Sequence, residues 1–314
     1  MLRLRLTYLP AFLVVLCAGG CTTLRHTTVN RLGDALAAGG TSYAEDDDPA
    51  LIQAAAPFSL KLMESLLAEN PTHPGLLLAA TSGFTQYAYA FVQQDADEME
   101  EKNVAAAAAL RQRAGRLYLR AHNYGLRGLA VAHPDFPVLL RRNPRTAVQV
   151  CTSADVPLLY WTAASWCAAI AAAKDQPALI AELPMAEALI DRALVLDETY
   201  DHGAIHVFFI TFEMARVGAG GDPVARAEQH FNRALALGGG TQVSPLVAFA
   251  EAVCVQRQDR ARFQAILNQA LAIDPDAQPG SRLLNLVMQR RARWLLARSG
   301  DLFLPTEAPP EPKP

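Results

Sequence analysis

Aromatic residues are scarce, at 7% of the 314-residue chain, although 51% of its residues are hydrophobic. The apolar content is therefore carried mostly by alanine and leucine, both strong helix formers. A dominant charge is also missing. Twenty-eight Lys and Arg stand against 31 Asp and Glu, for a net charge of −3, which excludes a polyanion-binding protein and with it a nucleic-acid partner. No stretch alternates polar and apolar residues with a period of two, and no hairpin dipeptide separates β-branched runs, so no sheet is expected. After the N-terminal segment no run is long enough to span a bilayer. Residues 158–173 form an uncharged stretch of 16, interrupted by Thr162 and Ser165, and read as a buried helix. There is no phosphate-cradling glycine motif, no Gly-x-Ser-x-Gly elbow and no cysteine pair at zinc spacing. The expectation is a protein that is not an enzyme, with no catalytic residue, cofactor or metal.

Cysteine is sparse, with five residues, and the two earliest lie in a distinctive setting. Arg3 and Arg5 precede residues 6–18, which are apolar apart from Thr7 and Pro10. The segment is too short to cross a membrane and has the layout of a secretory leader. It ends in Ala18-Gly19-Gly20-Cys21, small residues before a cysteine, which resembles a bacterial lipobox. Residues 1–20 are thus expected to be a lipoprotein signal peptide and Cys21 the site of lipid attachment, with the acyl chains as the only hold on the membrane. The alternative is an ordinary leader with an incidental cysteine. Thr22, in place of Asp, points by similarity with sorted lipoproteins to the periplasmic face of the outer membrane. Loss of Arg3 and Arg5 would take the net charge from −3 to −5. Cys151, Cys167 and Cys254 remain, an odd number that implies no complete disulfide framework, and a Cys151–Cys167 bridge stays open.

Residues 21–45, rich in glycine and small polar side chains, read as a lipidated tether and the start of the fold. Asp48 before Pro49 is a helix-start signal, repeated at Asp222-Pro223. From there to residue 300 nearly every segment reads as helix. Residues 301–314 are expected to be a disordered tail, since 305–314 contain five prolines. A pattern recurs in the second half: Ala186-x3-Ile190-x2-Ala193-Leu194, Ala227-x3-Phe231-x2-Ala234-Leu235 and Phe263-x3-Leu267-x2-Ala270-Leu271, with Pro275 following the last. It matches the second-helix half of a tetratricopeptide repeat. Small alanines admit a neighbouring helix while the large residue one turn away fills the gap. The first-helix half is not matched, so the alternative is a non-repetitive bundle. The predicted class is all-α, with tetratricopeptide-like helical hairpin repeats stacked into a compact superhelical domain.

Three constellations stand out. His202 and His206 are four apart, with Glu213 seven further on. A regular helix would put them on one face as metal ligands lie, yet Asp201-His202-Gly203 also sits where a helix should begin, so capping competes. His73, His122, His133 and His230 show no ligand spacing. Phe84, Tyr87 and Phe91 share a helix face, and Tyr160, Trp161 and Trp166 form a second aromatic group. Both fit a core, or the walls of a ligand cavity. Arg113, Arg116, Arg120 and Arg127 form a stripe at helical spacing that reads as a solvated face paired with the acidic runs 45–48 and 95–101, or as a docking surface for an acidic partner or carboxylate. Arg290, Arg291, Arg293 and Arg298 crowd the last helix, where they complement its dipole.

Several blocks, taken together and in order, resemble a known family. They include Gly75-Leu76-Leu77-Leu78, Gln86-Tyr87-Ala88-Tyr89-Ala90-Phe91-Val92, Asn123-Tyr124-Gly125-Leu126-Arg127-Gly128-Leu129, Leu159-Tyr160-Trp161, Tyr200-Asp201-His202-Gly203-Ala204 and Gln289-Arg290-Arg291-Ala292-Arg293-Trp294. From about residue 21 to 304 the chain resembles the T-component lipoproteins associated with TRAP transporters, the TatT family. That resemblance implies a periplasmic lipoprotein of tetratricopeptide-like hairpins, a homotrimer, and engagement of a TRAP-type periplasmic solute-binding protein. It also implies holding or relaying a small apolar or organic-acid ligand. It carries over no catalytic residue; only the lipid-bearing position transfers, as Cys21. The competing function is a generic outer-membrane scaffold lipoprotein for envelope assembly.

Overall fold

A computed structural model describes residues 31–38 and 40–305. Cys21, the leader of residues 1–20 and the proline-rich end from 306 onward lie outside the described residues. The class is all-α, and no strand occurs among the described residues. The main helices are α1 (Pro49–Glu69), α2 (Pro74–Tyr87), α3 (Val104–Ala132), α4 (Val156–Ala172), α5 (Leu183–Leu196), α6 (Tyr200–Ala215), α7 (Pro223–Leu237), α8 (Ser244–Phe249), α9 (Arg260–Ala272) and α10 (Arg282–Ala297). Helices next to each other in sequence pack on each other through most of the chain, with α2 also touching α4 and α6 touching α8.

Local chemistry explains the ends. Asp48 accepts from the backbone N–H groups of Ala50 and Leu51, both at 3.0 Å, with Pro49 opening the helix. Asp222 accepts from Val224 at 3.1 Å ahead of Pro223. Asn103 and Asp259 cap α3 and α9 in the same way. Each side chain satisfies a donor that the first turn leaves without a helical partner.

The first three positions of each recurring pattern are buried, while its last leucine, Leu194, Leu235 or Leu271, is half-buried. Ala186, Ile190 and Ala193 on α5, Ala227 and Ala234 on α7, and Phe263, Leu267 and Ala270 on α9 are at most 1% exposed, and Phe231 is 6% exposed. Residues 158–173 form most of α4, which buries Leu159, Ala163, Trp166 and Ala169. α3 and α4 approach so closely that side chains are excluded. A Cβ on Gly125 would meet Thr162 Oγ1 at 2.1 Å, and one on Gly128 would meet Leu158 Cδ2 at 2.7 Å.

The core has three clusters along the chain, around α1–α3, α3–α6 and α6–α10. Tyr89 packs at the margin of both the first and the third. It stands in a π-helical stretch, Ala88–Gln93, that carries α2 onward into Gln94–Met99. A second π stretch, Ala250–Cys254, follows α8. At the start, residues 31–38 and Gly40–Ala44 are helical, and Tyr43 is hydrogen-bonded to Ser59 at 2.5 Å. At the end, Ser299–Leu302 is helical and Phe303 is buried against the Phe263 ring, 5.0 Å between centroids, so packing continues past residue 300.

Candidate functional site

α3 buries Ala114, Tyr118, Ala121, His122 and Gly125 on one side. The opposite side carries Arg113, Arg116, Arg120 and Arg127, all exposed. With Glu64 of α1, the residues Arg116, Leu119, Arg120, Asn123, Tyr124 and Arg127 line an open cleft of about 390 Å³. The arginines stack over rings: Arg120 over Phe84 at 5.4 Å and Arg127 over Tyr124 at 5.2 Å. Phe84 and Tyr124 themselves stack at 6.1 Å. Arg113 lies over Tyr87 at 5.9 Å, with a guanidinium nitrogen 3.4 Å from the Tyr87 hydroxyl. Such stacking orients a guanidinium while leaving its N–H edge free for an anion.

Glu64 is the only carboxylate lining the cleft. It accepts from the Tyr124 hydroxyl at 2.9 Å, lies 3.6 Å from Arg120 Nε and bonds to Lys61. Burial alone would raise its pKa. The hydrogen bonds from Lys61 and Tyr124 and the charges of Arg120 and Lys61 outweigh burial and hold the carboxyl below the usual range. Tyr124 is pushed up to about 12, by burial first and then by Glu64. Arg116 has no ion-pair partner among the described residues, and Arg127 donates to the Pro71 carbonyl at 2.9 Å. The cleft is thus a positive surface with one internal counter-charge.

The acidic runs do not neutralise this stripe. Asp95 and Glu98 each pair with Arg290 at 2.7 Å. Asp97 pairs with Arg291 at 2.8 Å, and Glu101 with Arg298 at 2.8 Å. Glu251 takes the other side of Arg291. In the run 45–48, Asp46 accepts from Asp48 N–H and Asp48 caps α1. The arginines of α10 therefore do more than complement a helix dipole: three of them tie α10 to the segment after α2.

The two aromatic groups are separated. Phe84, Tyr87 and Phe91 belong to the first core cluster; Trp166 and Tyr160 belong to the second. Tyr160 meets Trp161 edge-on at 4.9 Å, and Trp166 Nε1 donates to Glu182 at 2.9 Å. Only Phe84 of the six reaches the arginine cleft, from beneath.

His202 and His206 do not share a face. Asp201, His202 and Gly203 adopt left-handed backbone with φ of 45°, 56° and 90°, so regular winding begins only after them. His202 is exposed, 3.1 Å from the Gln278 amide. His206 Nδ1 lies 2.9 Å from His230 Nδ1, and its Nε2 lies 3.3 Å from Glu198. Glu213 is held by Arg216 and Arg226. Burial, then the neighbouring His206 charge, brings His230 down to about 4. Cys151, Cys167 and Cys254 are free thiols. One group with convergent donors was not visible in the sequence: His133, Cys151 and Asp155. Their separations of 18 and four residues suggest a shared face only on one unbroken helix, and here short helices and turns lie between them, so the three meet through the path of the connection. Glu64 was also missed, since it comes from a different helix than the stripe it faces.

The described residues form an all-helical molecule with an arginine cleft, and no helix among them is long and apolar enough to cross a membrane. The chain belongs to the TRAP transporter T-component family, whose model matches residues 45–303. It is also 33% identical over 266 residues to an uncharacterized protein of Treponema pallidum (strain Nichols), a match covering 83% of this chain and 82% of that protein. The family supports an accessory role in a TRAP transport system and is not a known enzyme class.

Proposed function

We propose that the chain is a lipid-anchored accessory component at the periplasmic face of the outer membrane, held through Cys21 and assembled as a homotrimer. Its helical hairpins, stacked in the tetratricopeptide manner, dock the solute-binding protein of a TRAP-type transporter and hold a small organic-acid ligand. The observation that carries this reading is the cleft on α3: Arg116, Arg120 and Arg127 gather around a single carboxylate, Glu64. Guanidinium groups oriented over rings suit bidentate capture of a carboxylate, on a ligand or on an acidic partner surface. The rigid, glycine-tightened packing of α3 against α4 supports a site of fixed geometry. Phe84 supplies an apolar floor; Tyr87, Phe91, Tyr160, Trp161 and Trp166 serve the packing behind it.

The test is co-purification of the full lipidated chain with the solute-binding protein of its transporter, at low and high salt. The expected outcome is a complex that weakens as salt rises and is lost in an Arg116→Glu, Arg120→Glu double variant that stays folded. A complex indifferent to both changes would remove α3 from the interface. Failure to capture any solute-binding protein from native membranes would sink the reading.

A further inference from the structure

The geometry points to a transition-metal site formed by His133, Cys151 and Asp155, holding a divalent cation such as zinc through one imidazole nitrogen, one thiolate and one carboxylate oxygen, with a fourth position open to water. Their donor atoms all lie within 4.8 Å of one another. His133 Nε2 is 3.2 Å from Asp155 Oδ2. Zinc bonds of about 2.0–2.3 Å to N, O and S set donors about 3.3–3.7 Å apart in a tetrahedral site. One edge of that tetrahedron is therefore nearly in place, and the thiol needs only a short adjustment.

Three further features fit a cation. First, Cys151 is 1% and Asp155 8% exposed, so packing fixes both donors, and the buried carboxylate gains from positive charge beside it. Second, the hydrogen bonds of Asp155 converge on one oxygen. Thr152 N–H donates to Oδ2 at 2.8 Å and the Thr152 hydroxyl at 3.2 Å, while Oδ1 carries no hydrogen bond among the described residues. Thr152 thus orients the carboxylate in the manner of an outer-shell partner. Third, the Arg192 guanidinium beside Cys151 is occupied elsewhere: it donates to the backbone carbonyls of Cys151 at 2.7 Å and Gln149 at 3.4 Å.

The balance of charge is simple. The Cys151 S–H bond breaks, its proton leaves to solvent and sulfur bonds the metal. The imidazole stays neutral by carrying its proton on the other ring nitrogen. Two negative ligands then neutralise a divalent ion. Burial, followed by the negative Asp155, pushes the free Cys151 thiol up to about 12. A nitrogen, sulfur and oxygen set suits zinc or cobalt and is poor for magnesium or calcium. His133 is the C-cap of α3 and Asp155 the N-cap of α4, so the ion would bolt these two helix ends together and close off the short helices between them. The proposal does not depend on the arginine cleft.

The test uses the full chain, freed of metal with chelator and then titrated with cobalt(II) alone. The expected result is saturable binding of one ion, with a thiolate-to-cobalt charge-transfer band and the intense visible bands of a four-coordinate ion, displaced by zinc. Cys151→Ser removes the charge-transfer band and Cys254→Ser leaves it unchanged. Thr152→Ala weakens binding by about tenfold or more. Absence of the band at stoichiometric cobalt, or its survival in Cys151→Ser, overturns the proposal. Should Cys151→Ser not fold, His133→Gln decides: cobalt affinity within about twofold of the wild type, where loss of an outer-shell partner alone costs at least about tenfold, likewise overturns it.

Discussion

Two helices carry arginine clusters of similar density and opposite fate. On α10 and its C-cap, Arg290, Arg291 and Arg298 reach six carboxylates between them, and Arg291 is 8% exposed. On α3, Arg113, Arg116, Arg120 and Arg127 stay exposed around the lone Glu64. The α10 cluster is a structural joint between distant parts of the chain; the α3 cluster is an unneutralised surface. Both clusters place several arginines within a few turns of one helix. What differs is whether another segment brings acids to meet it, which is a property of the tertiary fold.

The largest test of this contrast is truncation. Arg291→Ala takes the shared partner from Asp97 and Glu251, although Asp97 keeps Arg111 at 3.3 Å, and should cost about 1.5–3 kcal/mol. Arg116→Ala should fall within about 0.5 kcal/mol of the parent. Urea denaturation of both variants measures the difference, and equal losses would erase the distinction drawn here.

A second test lies on the buried side of α3. Burial, then the charge of Arg141, lowers His122 from 6.5 to about 4, and its ring packs on Trp166 at 4.1 Å. A group whose folded pKa is depressed binds its proton more readily when unfolded. Its stabilising share is therefore complete above about 6.5 and is lost as pH falls from there toward 4. The loss should be on the order of 2 kcal/mol, read from thermal unfolding across that range. His122→Phe should make the profile shallower, leaving the share that His230 contributes over the same range, while Arg116→Ala should leave its shape unchanged.

A small effect on stability should come from Glu64→Gln, less than about 1 kcal/mol because its charged partners are exposed. Its effect on binding runs the other way. Removing the internal counter-charge should tighten binding of a simple carboxylate probe such as benzoate, measured by calorimetry. Unchanged or weaker binding would show that Glu64 helps to organise the arginines and does not compete with the ligand.

Much of the architecture was readable from residues alone. Asp48-Pro49 and Asp222-Pro223 start helices because capping is local, and the Ala-Ile-Ala and Ala-Phe-Ala sets are buried because helix periodicity fixes the inward face. The site was only partly readable. The arginine stripe follows from spacing, but its freedom from the acidic run 95–101 depends on α10, nearly 200 positions away. His202 and His206 misled because the spacing argument assumes right-handed backbone, and three consecutive left-handed residues break it. The trio at His133 was invisible for the opposite reason: its members converge through a turn whose path no periodicity encodes.

The π winding at Ala88–Gln93 has a consequence for how this chain tolerates change in length. One extra amino acid per turn swings everything downstream by roughly 100° about the rod's axis. That phase offset lets the front of a single continuous rod serve one interior while Asp95, Asp97 and Glu98 point to α10. Deleting one residue between 88 and 93 would restore ordinary winding, turn those carboxylates away from their guanidinium partners and unfasten the two ends of the molecule, beyond the loss of the one side chain removed.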